Sequence, residues 1–174
     1  RSCDAFVMEK SMLEYLIEEA ASHAYTDFVR DVLVRNVGRL NINGWRYEGY
    51  VARMDSLSSY FKHNMALFNE AVRADLFNAQ HPIYTKVKDE APARYGADAK
   101  VKSSLVADGC IIEGSIENCI VFSGARIERG AKLRNCIIMR GGIVGEGAEL
   151  DCVIADKYCS FSAGTVLTGN ARLP

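Results

Sequence analysis

Residues 116–121, Ile-Glu-Asn-Cys-Ile-Val, return almost unchanged at residues 133–138 as Leu-Arg-Asn-Cys-Ile-Ile. The apolar residue that opens this segment recurs every 17 residues, at Ile116, Leu133, Leu150 and Leu167. Self-similarity at a fixed period is the sequence signature of an architecture made of stacked repeats. The repeat therefore divides the second half of the chain into coils of about 17 residues.

Two further apolar columns run through the same coils. One consists of Ile112, Ile127, Val144 and Phe161, and the other of Val106, Val121, Ile138 and Ile154. Three apolar positions per coil, about six residues apart, predict three short strands per coil. Such strands bury their inner faces only by stacking, at about 4.8 Å per coil. The pattern is that of a hexapeptide-type parallel β-helix with four coils.

The side chains between these columns predict a structural filling of the coils. Cys119 and Cys136 share a column, with Cys152 near it, and we expect them to stack as small apolar residues. Asn118 and Asn135 predict a ladder of amides that satisfies the backbone of a turn. The glycines of residues 142–147 resemble a phosphate-binding loop, but they lie inside the repeat and no helix follows, so we interpret them as a turn.

The composition changes near residue 98. Of 16 aromatic residues, 13 come before this point with all three histidines, whereas 10 of the 14 glycines come after it. Two domains with different architectures explain this change. We expect residues 1–76 to be the C-terminal part of an α/β domain, residues 77–98 a linker around Pro82 and Pro92, and residues 99–174 the β-helix.

Helical periodicity marks three segments of the first part. It predicts helices over residues 10–21, 26–36 and 56–69, with Ser11 and the pair at 55–56 as N-terminal caps. Residues 41–54 are rich in aromatic and β-branched residues and contain two glycines, which predicts strands around a turn.

Composition excludes several functional classes. The formal net charge is −1, from 21 basic and 22 acidic residues, so nucleic acid is not an expected partner. No apolar run has the roughly 20 residues of a membrane span, and no segment reads as a secretory signal. The six cysteines form no CxxC pair and lie in no His/Cys cluster, so no metal site is predicted. We expect a cytoplasmic protein.

The join between the two parts is similar to that of glucose-1-phosphate adenylyltransferases, also called ADP-glucose pyrophosphorylases. The similarity covers almost the whole chain. Its motifs are Pro-Ile-Tyr-Thr at 82–85, the segment at 103–114, Ile-Ala-Asp-Lys at 154–157, Ser-Cys-Asp-Ala-Phe-Val-Met at 2–8, Asp27-Phe28 and Gly49-Tyr50.

This resemblance implies an architecture and a set of site residues. It implies a nucleotidyltransferase domain followed by a left-handed β-helix, with the family's glycine-rich nucleotide loop, catalytic Asp and Glu-Lys pair preceding residue 1. The chain would then be a C-terminal fragment, inactive alone. Ser2, Asp27 and Phe28 match positions that line the family's sugar-phosphate pocket, so they are candidate pocket remnants.

The chain departs from the family at the metal-binding position. Where the family has Gly-Tyr-Trp-x-Asp, this chain has Gly-Tyr-Val-Ala-Arg, so Arg53 stands at the place of the metal-binding Asp. Nucleotidyl transfer needs a carboxylate that holds Mg²⁺, and a guanidinium cannot ligate a cation. A shifted Asp55 is the alternative ligand. We expect no catalytic residue and no metal or cofactor in this fragment, although the family uses Mg²⁺.

The departure favours a noncatalytic regulatory subunit of glycogen synthesis. By resemblance, such a subunit assembles with a catalytic homologue, or with itself, and its β-helix contributes to the contacts. Lys157 lies where related enzymes place an effector-binding lysine, so it is a candidate site for a phosphorylated effector; the alternative is a solvated corner residue. Five basic residues of the middle coils predict either a charged outer face or an anion or partner surface: Arg126, Arg129, Lys132, Arg134 and Arg140.

Two enzymatic alternatives remain open at the level of sequence. One is a catalytically competent glucose-1-phosphate adenylyltransferase or a related sugar-nucleotide pyrophosphorylase. The other is a hexapeptide acyltransferase, which shares the β-helix but needs a histidine base near the coils. No histidine follows His81.

Overall fold

Parallel strands in three stacked columns form the second half of the structure, a computed structural model that describes residues 3–86 and 89–170. The chain divides into two compact units, residues 1–49 and residues 50–174. The first contains α1 (Lys10–Ser22), a π-helix (Phe28–Leu33) and α2 (Val34–Asn36). The second contains α3 (Leu57–Ala66), α4 (Glu70–Leu76) and the strands.

The helices confirm the helical periodicity, with one difference in capping. Ser56 caps α3 as predicted, because its side chain accepts a hydrogen bond from the Ser59 amide in a capping box. Ser11 lies inside α1 instead, whose N-cap is Glu9 without a side-chain hydrogen bond. That prediction was wrong because the helix begins earlier than the apolar stripe suggests.

The strands predicted at residues 41–54 are not formed, and residues 3–8 are not a strand either. A strand needs a partner for its backbone groups. All described strands lie in the coils that begin at residue 94, and none of them pairs with these two segments. Aromatic and β-branched composition alone therefore did not produce strands here.

Fourteen strands are found in the described residues of the second unit. They are β1 (Arg94–Tyr95), β2 (Lys100–Lys102), β3 (Leu105–Val106), β4 (Ile111–Ile112), β5 (Ser115–Glu117), β6 (Ile120–Val121), β7 (Arg126–Ile127), β8 (Lys132–Arg134), β9 (Ile137–Ile138), β10 (Ile143–Val144), β11 (Glu149–Asp151), β12 (Ile154–Ala155), β13 (Ser160–Phe161) and β14 (Val166–Thr168). Every third strand pairs in parallel, which gives the sheets β1-β4-β7-β10-β13, β2-β5-β8-β11-β14 and β3-β6-β9-β12. This is a β-solenoid of about four coils, as the repeat predicts.

The register confirms two apolar columns and corrects the third. Ile116, Leu133, Leu150 and Leu167 are paired in register, and so are Ile112, Ile127, Val144 and Phe161. In the third column the partner of Ile138 is Ala155, not Ile154. Ala155 is 2 % exposed and belongs to the core, so the chain places a small residue there and Ile154 at the neighbouring position.

One corner explains why the first repeat has 15 residues and the next has 17. Ile112 pairs with Ile127, and Ser115 pairs with Lys132, so two residues in one coil oppose four in the next. Gly114 lies in the shorter corner, where a Cβ would come within 2.5 Å of the Ala131 carbonyl oxygen. Only glycine allows this close approach.

Candidate functional site

Asp27 and Phe28 lie at the start of the π-helix in the first unit. The Asp27 side chain caps the helix by accepting a hydrogen bond from the Arg30 amide at 2.8 Å. The Phe28 ring lies 5.6 Å from the ring of Phe6. Capping and ring packing therefore account for both side chains, and Ser2 lies outside the described residues.

Asp31 is the charged residue of this segment that the sequence interpretation missed. It is buried, and its carboxylate accepts two hydrogen bonds from the Arg30 guanidinium, at 2.8 and 2.9 Å. The amides of Thr26 and Asp27 also donate to it. The hydrogen bonds from Arg30, followed by those from the backbone, hold the pKa of Asp31 well below its usual value. Two aspartates four residues apart at a helix start were the available signal.

Arg53 and Asp55 lie in the exposed segment before α3. The Asp55 amide donates to the Ser59 hydroxyl at 3.0 Å, and the Asp55 carboxylate is 3.5 Å from the Ser56 hydroxyl oxygen. Asp55 is thus part of the helix start. A guanidinium supplies no ligand for Mg²⁺, and a single carboxylate engaged at a helix cap is not the oxygen-rich set that this ion takes. The residues present do not fit a magnesium site.

A polar cluster follows Gly49 in the second unit. The Tyr50 hydroxyl lies 2.7 Å from Nδ1 of His63 on α3, and the Tyr50 amide donates to the Asp75 carboxylate of α4 at 2.6 Å. These two contacts fix the segment that leads to Arg53 onto both helices. The role that they support is structural.

Lys157 lies on an exposed corner between β12 and β13. Its amide donates to the Asp156 carboxylate at 2.7 Å. The next residue, Tyr158, has φ +59°, whereas the equivalent corners of the earlier coils have glycine at 109, 124 and 141. The corner presents a cation and an exposed ring side by side.

Carboxylates of the same chain lie beside most of the basic residues of the middle coils. The pairs are Arg126–Glu128 at 3.5 Å, Lys132–Glu149 at 2.8 Å, Arg134–Asp151 at 3.9 Å and Arg140–Glu90 at 2.7 Å. A positive surface for a free anion would need unpaired cations. These pairs favour the charged outer face over an anion site.

The β2-β5-β8-β11-β14 sheet carries a shallow groove of about 500 Å³ on its outer side. The middle residue is buried in β5, β8 and β11, so the two flanking side chains of each strand form the walls of the groove. We call this surface the charged trough. Its walls are Lys100, Ser115, Lys132, Glu149 and Val166 on one side and Lys102, Glu117, Arg134, Asp151 and Thr168 on the other.

Cys119 and Cys136 are stacked in neighbouring coils with no exposed surface. The amide of Ile120 donates to the Cys136 carbonyl at 2.9 Å, which holds the two coils in register. A hydrogen bond with Cys119 and burial raise the pKa of the Cys136 thiol. Cys152 does not join this column: it shares the left-handed backbone position of Asn118 and Asn135.

The predicted amide ladder is formed, but with side-chain partners. Asn118 donates to the Asn135 side chain at 3.5 Å, and Asn135 donates to the Asp151 carboxylate at 3.0 Å. Among residues 3–86 and 89–170, no group of three or more His, Cys, Asp or Glu side chains is placed to hold a metal ion. No helix in those residues is long and apolar enough to span a membrane.

Comparisons with known proteins agree on both halves of the chain. The family described as "GlmU-like, C-terminal hexapeptide" matches residues 87–172. The glycogen biosynthesis protein GlgD of Bacillus subtilis (strain 168) is 41 % identical over 174 residues, all of this chain and 50 % of that protein.

Two proteins of Geobacillus stearothermophilus match shorter stretches. Its glycogen biosynthesis protein GlgD is 42 % identical over 75 % of this chain and 38 % of the relative. Its glucose-1-phosphate adenylyltransferase is 34 % identical over 70 % of this chain and 32 % of the relative. The chain spans about half the length, or less, of these relatives.

Proposed function

The chain belongs to the family of the GlgD glycogen biosynthesis proteins and the glucose-1-phosphate adenylyltransferases, and we propose that it is part of a regulatory subunit in glycogen biosynthesis. The observation that carries the proposal is the 41 % identity with a GlgD along the whole chain. Arg53, at the family's metal-binding position, supports a noncatalytic role because it cannot hold the cation that nucleotidyl transfer requires.

The partner in this proposal is a catalytic homologue. Residues 1–76 would form the C-terminal part of a nucleotidyltransferase-like domain, residues 77–98 a linker, and residues 99–174 a left-handed β-helix that contributes to subunit contacts. We also propose a cytoplasmic location, where buried thiols such as that of Cys136 stay reduced.

The regulatory ligand in this proposal is a phosphorylated small molecule at Lys157. The exposed ammonium and the hydroxyl of the neighbouring Tyr158 are groups that can bind a phosphate. Asp27 and Phe28, together with Ser2, stay candidates for a remnant sugar-phosphate pocket that binds without turnover.

The decisive experiment is co-expression of the complete protein with the catalytic glucose-1-phosphate adenylyltransferase of the same organism. With an affinity tag on one subunit only, both should elute together, and the complex should differ from the catalytic subunit in kcat or effector response. Separate elution with unchanged kinetics would contradict the proposal.

The complete protein alone is the second arm. It should form no ATP from ADP-glucose and pyrophosphate, whereas turnover comparable to that of the catalytic homologue would favour the competent enzyme. In the complex, Lys157→Ala should weaken the effector response. Lys62→Ala, on the exposed side of α3, is the control and should leave that response unchanged.

A further inference from the structure

The charged trough is an open face of the solenoid, and four of its five strands present charged side chains. Side-chain exposure is 74 % for Lys102, 68 % for Lys132 and Arg134, and 51 % for Glu149. By contrast, Ile120 and Ile137 on the outer side of the β3-β6-β9-β12 sheet are buried. The trough is therefore a surface that water covers and that another chain can reach.

The charges of the trough alternate by coil. Strand β2 presents two lysines, β5 presents Ser115 and Glu117, β8 presents Lys132 and Arg134, and β11 presents two carboxylates. Neighbouring coils are held together by the pairs Lys102–Glu117 at 2.5 Å and Lys132–Glu149 at 2.8 Å. These pairs lower the pKa of Glu117 and Glu149, so both carboxylates are charged at neutral pH.

An alternating pattern of this kind is complementary to itself. Two copies can meet face to face about a two-fold axis that runs parallel to the strands, midway between β5 and β8. This axis reverses the order of the coils, so β2 lies opposite β11 of the second copy and β5 lies opposite β8. It keeps the strand direction, so each wall faces the same wall of the second copy. The facing pairs are Lys100 with Glu149, Lys102 with Asp151, Glu117 with Arg134, and Ser115 with Lys132, each formed twice.

We propose that the charged trough is a docking surface for a second copy of this chain, with the two solenoids antiparallel and the axis between β5 and β8. The charge pattern fixes this register. An axis that passes through β8 would place Lys132 opposite Lys132 of the second copy and Glu117 opposite Asp151, which costs energy. Complementary rows also steer the encounter of the two copies.

The area of the trough sets the strength of the contact. Five strands of three residues cover about 10 Å by 20 Å, or roughly 200 Å² on each copy. A stable dimer of ordinary size buries about 800 Å² per partner. The trough therefore gives a weak, salt-sensitive association, or sets the register within a larger contact. This inference goes beyond the proposed function, and assembly with a catalytic homologue neither requires nor excludes it.

The test exchanges charges within one copy. Lys132→Glu with Glu149→Lys keeps the intrachain pair in reversed form, but places an ammonium group at position 149 opposite Lys100 of the second copy, twice in each dimer. Arg126→Glu with Glu128→Arg makes the same kind of exchange outside the trough and is the matched control. Self-association of the complete protein is measured by sedimentation velocity at low salt and at about 0.5 M salt.

We expect the trough exchange to weaken self-association about tenfold at low salt and the control to leave it unchanged. Adding Lys100→Glu restores opposite charges across the axis and should restore association. A protein that stays monomeric at low salt, or a trough exchange without effect, would overturn the proposal. So would an exchange that weakens only the complex with the catalytic homologue, since the trough would then serve that partner.

Discussion

Arg140 donates a hydrogen bond from its guanidinium to Oε1 of Glu90 at 2.7 Å, across 50 residues of sequence. Both side chains are partly buried, at 38 % and 22 % exposure. The same carboxylate lies against the corner glycines Gly109 and Gly124, and the Gly109 amide donates to the Ala91 carbonyl. This contact fixes the segment before the first strand onto the corners of the solenoid.

Glu90→Gln tests this contact. The amide keeps the shape of the side chain but removes its charge, so we expect the free energy of unfolding to fall by ~1 kcal/mol. Glu128→Gln removes the charge from the more exposed pair with Arg126 and should cost about half of that or less. Chemical denaturation of both variants measures the difference, and equal losses would show that the Glu90 contact contributes no more than a surface pair.

Gly109→Ala tests the space that the Glu90 carboxylate occupies. Gly109 has φ +76° and Gly147 has φ +66°, so alanine is strained at both, by about 1–2 kcal/mol. A Cβ would overlap Glu90 at Gly109 only, because nothing lies within 4 Å of that position at Gly147. Gly109→Ala should therefore be the more destabilising. In a Glu90→Ala background the two losses should become similar, and a persistent difference would contradict this explanation.

Cys152→Asn should stabilise the solenoid. Cys152 has φ +55° at the corner where the two preceding coils have Asn118 and Asn135, and asparagine tolerates this conformation better than cysteine. We expect a gain of about 0.5 kcal/mol from lower backbone strain. Cys159→Asn, at a half-buried position without a positive φ, is the control and should not stabilise. Thermal unfolding followed by circular dichroism compares the two.

Asp31 makes the helical part of the first unit sensitive to acid. Its pKa is lowered in the folded state, so the ionised carboxylate contributes stability above the ordinary Asp value, about 4, and this contribution is lost as the pH falls further. Asp31→Asn should lower helix stability at neutral pH and flatten the acid profile below about pH 4. Arg30→Gln removes the other partner and should flatten the same region. Identical profiles for wild type and Asp31→Asn would contradict this role.

Thiol reactivity should follow burial. Cys3 is exposed, whereas Cys110, Cys119 and Cys136 are buried, and burial raises the pKa of Cys110. Since the thiolate is the reacting form, Ellman's reagent should react rapidly with Cys3 and reach the buried three only on unfolding. Cys3→Ser should remove the rapid phase. Rapid reaction of Cys119 or Cys136 in the native protein would show that the coils open.

The repeat made the solenoid predictable because a period of 17 residues forces equivalent positions to stack. The two columns of Ile116 and Ile112 were predicted from spacing alone, and the third failed only at its last member. At that position Ile154 fits the apolar pattern better than Ala155, but the register is set by backbone pairing and not by side-chain size.

In the first part of the chain, local signals predicted helices and failed for strands. Helices satisfy their backbone hydrogen bonds within the segment, so the spacing around residues 10–21 and the cap at Ser56 were sufficient. Residues 41–54 have strand composition, yet a strand needs a neighbour to pair with, and composition does not contain that information.

The amino-acid sequence alone determined the repeat, its three-stranded coils and the substitution of Arg53 at the metal-binding position, because periodicity and side-chain chemistry are properties of single positions. Only the tertiary structure decided which charges meet. The Glu90–Arg140 pair and the alternating rows of the charged trough join residues 15 to 50 positions apart, and stacking brings them within hydrogen-bond distance. Electrostatic contacts act through space, so their pairing follows from the register of the coils.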